Sequence, residues 1–176
     1  MKQKRSFLDI VLLLYPMRLH NMIQHVWDIL YSHWIRHYVG AIGCNSMIGR
    51  GCQLHGADHV FIGNNSGIGK HSILECWSNY GKTAYSPSIR IGDNSFIGEY
   101  CHLTSALSIS IGDGVLMGRF CYISDNNHGT VNFKSLQLPP VQRELYIGGG
   151  YALAIMFGSA IEFAFFQVLT SAMEQL

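Results

Sequence analysis

Ile48-Gly49-Arg50-Gly51-Cys52-Gln53 is followed by Leu54-His55-Gly56-Ala57-Asp58-His59 and then Val60, so an aliphatic residue returns every six positions. The phase slips by two and resumes at Ile62-Gly63, Ile68-Gly69 and Leu74. A third set runs through Ile91-Gly92, Ile97-Gly98 and Leu103, and a fourth through Ile111-Gly112, Met117-Gly118 and Ile123. A six-residue period matches neither a helix turn nor strand alternation. It matches a parallel β-helix, in which each hexapeptide supplies one short strand and one turn of a triangular coil. The aliphatic residue is expected to point inward. The Gly, Asp and Asn that follow it are expected to take the left-handed backbone of a tight corner.

Composition agrees with one domain plus an appendage. The chain has 176 residues, 19 glycines concentrated at the repeat corners, and a formal net charge of +1. That charge, with no Lys/Arg stripe interleaved with aromatics, gives no nucleic-acid footprint. The apolar run Phe7 to Tyr15 is interrupted by Asp9 and stopped by Pro16, so it is too short to span a membrane. No small-residue cleavage site follows it, so a signal peptide is not expected and the chain is read as cytoplasmic.

Cys52, Cys101 and Cys121 occupy the fifth position of their hexapeptides, where sister repeats have Ser66, Ser72, Ser95 and Val115. The position reads as a slot for a small inward side chain, filled by free thiols acting as small hydrophobes. No Cys-x-x-Cys pair is present, so neither a zinc ribbon nor a redox site is expected.

Three segments fall outside the repeats. Residues 1–40 carry apolar positions at helical spacing, and Pro16 splits them into two expected helices. They read either as a cap over the open end of the coil or as an interfacial anchor flanked by Lys2, Lys4, Arg5 and Arg18, bound weakly at the inner membrane face. Trp77 to Ser88 reads as a polar insertion, and Ser124 to Leu145 as a long excursion containing Pro139 and Pro140.

The long excursion carries the candidate chemistry. Ile123-Ser124-Asp125-Asn126-Asn127-His128-Gly129 closes a repeat and sends His128 out on a loop, where rigid coils can position a binding group. A histidine there suits a general base, since its unperturbed pKa near 6.5 lets it exchange a proton at neutral pH.

With these pieces in view, the chain resembles the hexapeptide-repeat acyltransferases built on a left-handed parallel β-helix. More narrowly, it is similar to the O-acetyltransferases of bacterial surface-polysaccharide (colanic acid, lipopolysaccharide and capsule) synthesis. The matching pieces are Tyr85 to Gly98, Cys101 to Ala106, Ile111 to Met117 and Ile123 to Gly129, within coverage from about Ile42 to Gly150. The resemblance implies an all-β left-handed β-helix over 41–150 after a helical segment over 1–40. It implies transfer of acetyl from acetyl-CoA to a sugar hydroxyl, with His128 as catalytic base and no metal. It further implies a homotrimer with acetyl-CoA and acceptor meeting between neighbouring coils. Asp125, Asn126, Asn127, His102 and Tyr85 are the candidate substrate-binding residues, although His102 could equally be an outward-facing repeat residue.

The tail departs from the family. After Ile147-Gly148-Gly149-Gly150 the six-residue pattern stops and an apolar stretch follows over 151–176. The family continues here with coils like I-G-D-N-V-W-I-G and I-L-P-G-V. Reading the last base of each codon with the first two of the next, Met156-Phe157 forces valine and Phe157-Gly158 allows only tryptophan or arginine. Phe165 becomes aliphatic or phenylalanine, and Met173-Glu174 forces glycine. Positions 153, 159, 165 and 171, at six-residue steps from Ile147, can each supply an aliphatic residue. The residues after 153, 159 and 171 permit Gly and then Asp or Asn. The expectation is an out-of-frame tail from about 151, against the alternative of a genuine C-terminal helix. An inactive copy of such an enzyme, or a carbonic-anhydrase-like metal site using His71, His102 and His128, are the competing functional readings.

Overall fold

The computed structural model describes residues 15–127, 137–139, 143, 145–147 and 151–153. It opens with one helix, α1 (Met17–Ile35), which begins directly after Pro16 in extended conformation. A proline at this point lacks only an N–H that the helix start would leave unpaired. The first of the two expected helices lies outside the described residues.

From Ala41 the chain visits three sheets in rotation. The first sheet contains β1 (Ala41–Ile42), β4 (Val60–Ile62), β9 (Ile89–Ile91), β12 (Ile109–Ile111) and β17 (Tyr151–Leu153). The second contains β2 (Met47–Ile48), β5 (Gly67–Ile68), β10 (Phe96–Ile97) and β13 (Leu116–Met117). The third contains β3 (Gln53–His55), β6 (Ile73–Cys76), β11 (His102–Ser105) and β14 (Tyr122–Ser124). All pairings within these sheets are parallel, so the strand order is compatible with the coil expected from the six-residue period. Two short antiparallel pairs stand outside it: β7 (Asn79–Tyr80) with β8 (Thr83–Ala84), and β15 (Asn126–Asn127) with β16 (Tyr146–Ile147).

Register turns the repeat into a core. Ile48, Ile68, Ile97 and Met117 stack across the second sheet, and Leu54, Leu74, Leu103 and Ile123 across the third. Ile42, Ile62, Ile91, Ile111 and Leu153 occupy the same register across the first. Leu153 therefore carries the six-residue step past Gly150, beyond the span over which the repeat is legible by eye. Ile48, Leu74 and Leu103 are fully buried.

The corners correct one expectation. The glycines just after the aliphatic residues do not supply the left-handed backbone. At Gly43 and Gly49 an added Cβ would lie 2.6 Å from the backbone of the next coil, so glycine is there for close approach. The left-handed positions fall later. One vertex is filled by Asn45, Asn65, Asn94 and Gly114, and the other by Gly51, His71, Tyr100 and Phe120. Asparagine tolerates this region well, whereas aromatic side chains meet a steric cost there.

The fifth-position slot is inward and also carries hydrogen bonds. Ser46, Ser66 and Ser95 donate to the Gly63, Gly92 and Gly112 carbonyls at 2.6, 2.7 and 2.8 Å. The same oxygens accept from the backbone N–H of Ser66, Ser95 and Val115 one coil further on. Cys52 and Cys101 repeat the donation through their thiols, to Gly69 and Gly118. Burial pushes the Cys52 thiol up to about 11. Burial, with the Asp125 and Asp58 charges adding to it, pushes Cys76 up to about 12. These thiols stay protonated, as a structural role requires.

Candidate functional site

The outer face of the third sheet holds a cavity of about 250 Å3. In a strand, residues on either side of an inward position point outward. Ile73, His102 and Tyr122, one residue before the inward column of Leu74, Leu103 and Ile123, are therefore neighbours on that face. Glu75 and Thr104 are paired one residue after it. The cavity is lined by Glu75, Trp77, His102, Thr104, Tyr122 and Asn126, with Tyr80, Asn127 and Leu145 completing it.

His102 stands at an outward-facing repeat position and lines this cavity. Its Nε2 is 3.1 Å from Glu75 Oε2, and its ring meets Tyr122 edge-on with centroids 5.2 Å apart. The carboxylate fixes the imidazole's direction. Trp77 arrives from the insertion that follows β6. Its Nε1–H donates to Thr104 Oγ1 at 3.2 Å, and its ring packs on His55 with centroids 4.4 Å apart. The result is a partly apolar wall beside an imidazole–carboxylate pair. Its volume is somewhat below the roughly 300–1,000 Å3 of drug-sized ligand sites, so it suits one small polar ring or the end of a longer molecule.

The residues leading to His128 meet this cavity. Asn126 and Asn127 both line it. Asn126 Nδ2 donates to the Thr104 carbonyl at 3.3 Å, and its backbone N–H donates to Ser124 Oγ. Pairing of β15 with β16 holds this exit in place. His128 itself lies outside the described residues.

Asp125 does different work from the substrate binding expected of it. It is buried, and its carboxylate accepts from Ser105 Oγ at 2.7 Å, Ala106 N at 2.8 Å, Leu107 N at 3.0 Å and Asn126 Nδ2 at 3.0 Å. Four donors saturate its two oxygens, leaving no acceptor for a substrate. Asp125 is a brace between β14 and the turn after β11. Tyr85 also stands off the cavity wall. Its hydroxyl accepts from the Leu145 N–H at 3.3 Å and so ties the end of the long excursion to the Trp77–Ser88 insertion.

Glu75, Trp77, Thr104 and Tyr122 were not singled out from sequence. The period would have found three of them, since they flank the inward column at fixed offsets. Trp77 comes from an insertion whose path no repeat encodes. His71 belongs elsewhere, stacked on Tyr100 at a vertex with centroids 5.1 Å apart. Among the described residues no group of three His, Cys, Asp or Glu side chains could hold a metal ion.

No family model, curated protein or solved structure matches this chain.

Proposed function

We propose that the chain is built on a left-handed β-helix and represents an acetyltransferase moving an acetyl group from acetyl-CoA to a sugar hydroxyl in surface-polysaccharide synthesis, with His128 as general base. The observation that carries this reading is the convergence of the Asn-His-Gly exit with the cavity: Asn126 and Asn127 line its wall immediately before His128. The left-handed corner residues at two vertices support the coil geometry.

The chemistry needs little from the protein. A thioester is already activated, so His128 takes the proton of the acceptor hydroxyl as its oxygen attacks the carbonyl carbon. The new C–O bond forms, the C–S bond breaks, and the imidazolium returns the proton to the departing thiolate. A backbone N–H directed at the carbonyl oxygen stabilises its developing charge. The active unit in this reading is a homotrimer, with acetyl-CoA bound between neighbouring coils.

The tail bears on whether this copy is active. Shifted-frame residues repeat the six-residue pattern at unbroken spacing from Ile147, which supports an out-of-frame product from about 151. Such a product lacks the later coils, and in this reading it trimerises poorly and transfers little acetyl. The test is to sequence the gene, restore the frame near codon 150, and follow thiol release from acetyl-CoA with sugar acceptors. Release by the corrected chain and its loss on His128→Ala supports the assignment. Unchanged release by His128→Ala ends it.

A further inference from the structure

Helix α1 docks on the coil by a side that joins Ile35 and Tyr31, packed on the core, to the polar groups of Gln24, Asp28 and Ser32. Asp28 faces inward and pairs with Arg50 at 2.6 Å and Lys70 at 2.9 Å, and Gln24 Oε1 accepts from the same arginine. Ser32 Oγ accepts from the Ile48 N–H at 3.0 Å. Only Ser32 and Ile35 of the helix are buried. The opposite side carries Met22, Val26, Leu30 and Trp34 at four-residue steps, with Trp27 beside Trp34, and all are exposed. At 100° per residue these positions cover an arc of about 140°. A helix in a globular protein normally turns such an arc toward the core. Here it is turned away, which marks it as a surface awaiting a partner.

We infer that this face is a docking surface for an anionic phospholipid bilayer, with α1 lying in the plane of the headgroups. Charge selects this occupant. Asp28 is the helix's one acidic residue, and it is held on the inner side by two cations, so the outward face of α1 carries no carboxylate. The 18 residues up to Arg18 add Lys2, Lys4 and Arg5 against Asp9, a net +3 by formal count, 4 minus 1. Trp27 and Trp34 add side chains that are apolar in body and polar at one edge, suited to the headgroup boundary. No described helix is long and apolar enough to cross a membrane, and the ion pairs hold the polar side of α1 on the coil. A helix so held can lie on a bilayer and leave the third-sheet cavity free. The inference stands independently of acetyl transfer.

The test uses the full chain in vesicle co-sedimentation, with phosphatidylcholine alone and with about one-third phosphatidylglycerol. Expected is binding to the anionic vesicles, at least about tenfold weaker on neutral ones, and weakened by salt. A Trp27→Ser, Leu30→Ser, Trp34→Ser variant should lose that binding while its circular dichroism is unchanged. As a check independent of that variant's folding, brominated lipid should quench tryptophan fluorescence in a Trp77→Phe background. No binding to anionic vesicles, no quenching, or full binding by the triple variant overturns the inference. So does a triple variant that changes only the oligomeric state, because a second copy would then be the cover.

Discussion

Ser95 shows how much one small side chain does inside the coil: its oxygen accepts from the Val115 N–H at 3.0 Å and donates to the Gly112 carbonyl at 2.8 Å. Ser95→Ala leaves the buried Val115 N–H and the half-buried Gly112 carbonyl without this partner, so the expected loss is about 1–3 kcal/mol in urea unfolding. Cysteine can occupy the slot because a thiol donates weakly to the same carbonyl, as Cys101 does to Gly118. Asp125 is the larger case. Asp125→Asn puts an amide NH2 against N–H and O–H donors, and about 2–3 kcal/mol should go with the charge-assisted bonds. Acetyl transfer by a corrected chain should fall only in proportion to the folded fraction, which a direct substrate contact would not permit. The inward role of Asp125 was hidden in the sequence because Asp-Asn-Asn-His reads as one polar loop, and only the backbone path shows the first residue turning in.

The elements differ in how they resist change. Leu103 sits in the centre of β11 with no exposed surface, and Leu103→Ala should cost about 2–5 kcal/mol in thermal or chemical denaturation. At the vertices the direction reverses. Phe120 has φ of 58° and is 74% exposed, although its ring stacks on Tyr100 with centroids 5.3 Å apart. Phe120→Gly removes the left-handed cost of about 1–2 kcal/mol and forfeits an exposed stack worth about 0.5–1.5 kcal/mol, so a change within about 1 kcal/mol is expected. Helix α1 adds a pH dependence. Burial pushes the Asp28 carboxyl up, but hydrogen bonds and charge from Lys70 and Arg50 outweigh it and hold it below the usual carboxylate range. A carboxyl lowered in the folded state contributes stability above its unfolded pKa of about 3.9 and loses it as pH falls through the lower folded value. Docking of α1 should therefore hold at neutral pH and weaken below about pH 4, and Asp28→Asn should flatten that part of a stability–pH curve.

At the scale of the whole molecule, frame correction is the decisive experiment for the proposed activity. The corrected chain should run as a trimer in sedimentation and transfer acetyl, and His128→Ala should then lower turnover about a hundred- to ten-thousand-fold with the fold intact. A corrected frame that meets an early stop, or an uncorrected chain that proves a fully active trimer, removes the out-of-frame reading. Sequence alone determined the parallel winding, because an aliphatic residue every six positions can be buried together only if each coil repeats the register of the last. That argument reaches Ile48, Leu74 and Leu103 without coordinates. It could not distinguish glycine needed for φ from glycine needed for room, since both look the same in a repeat. Nor could it pair Glu75 with His102 across 27 residues, or bring Trp77 over Thr104. Those contacts depend on insertions whose length sets no period. The outward turn of α1 was equally out of reach, because its apolar stripe has the same spacing whether it faces a core or away from one. The choice was made by Arg50 and Lys70, which lie on neighbouring coils and draw Asp28, and with it the helix's polar side, down onto the sheet.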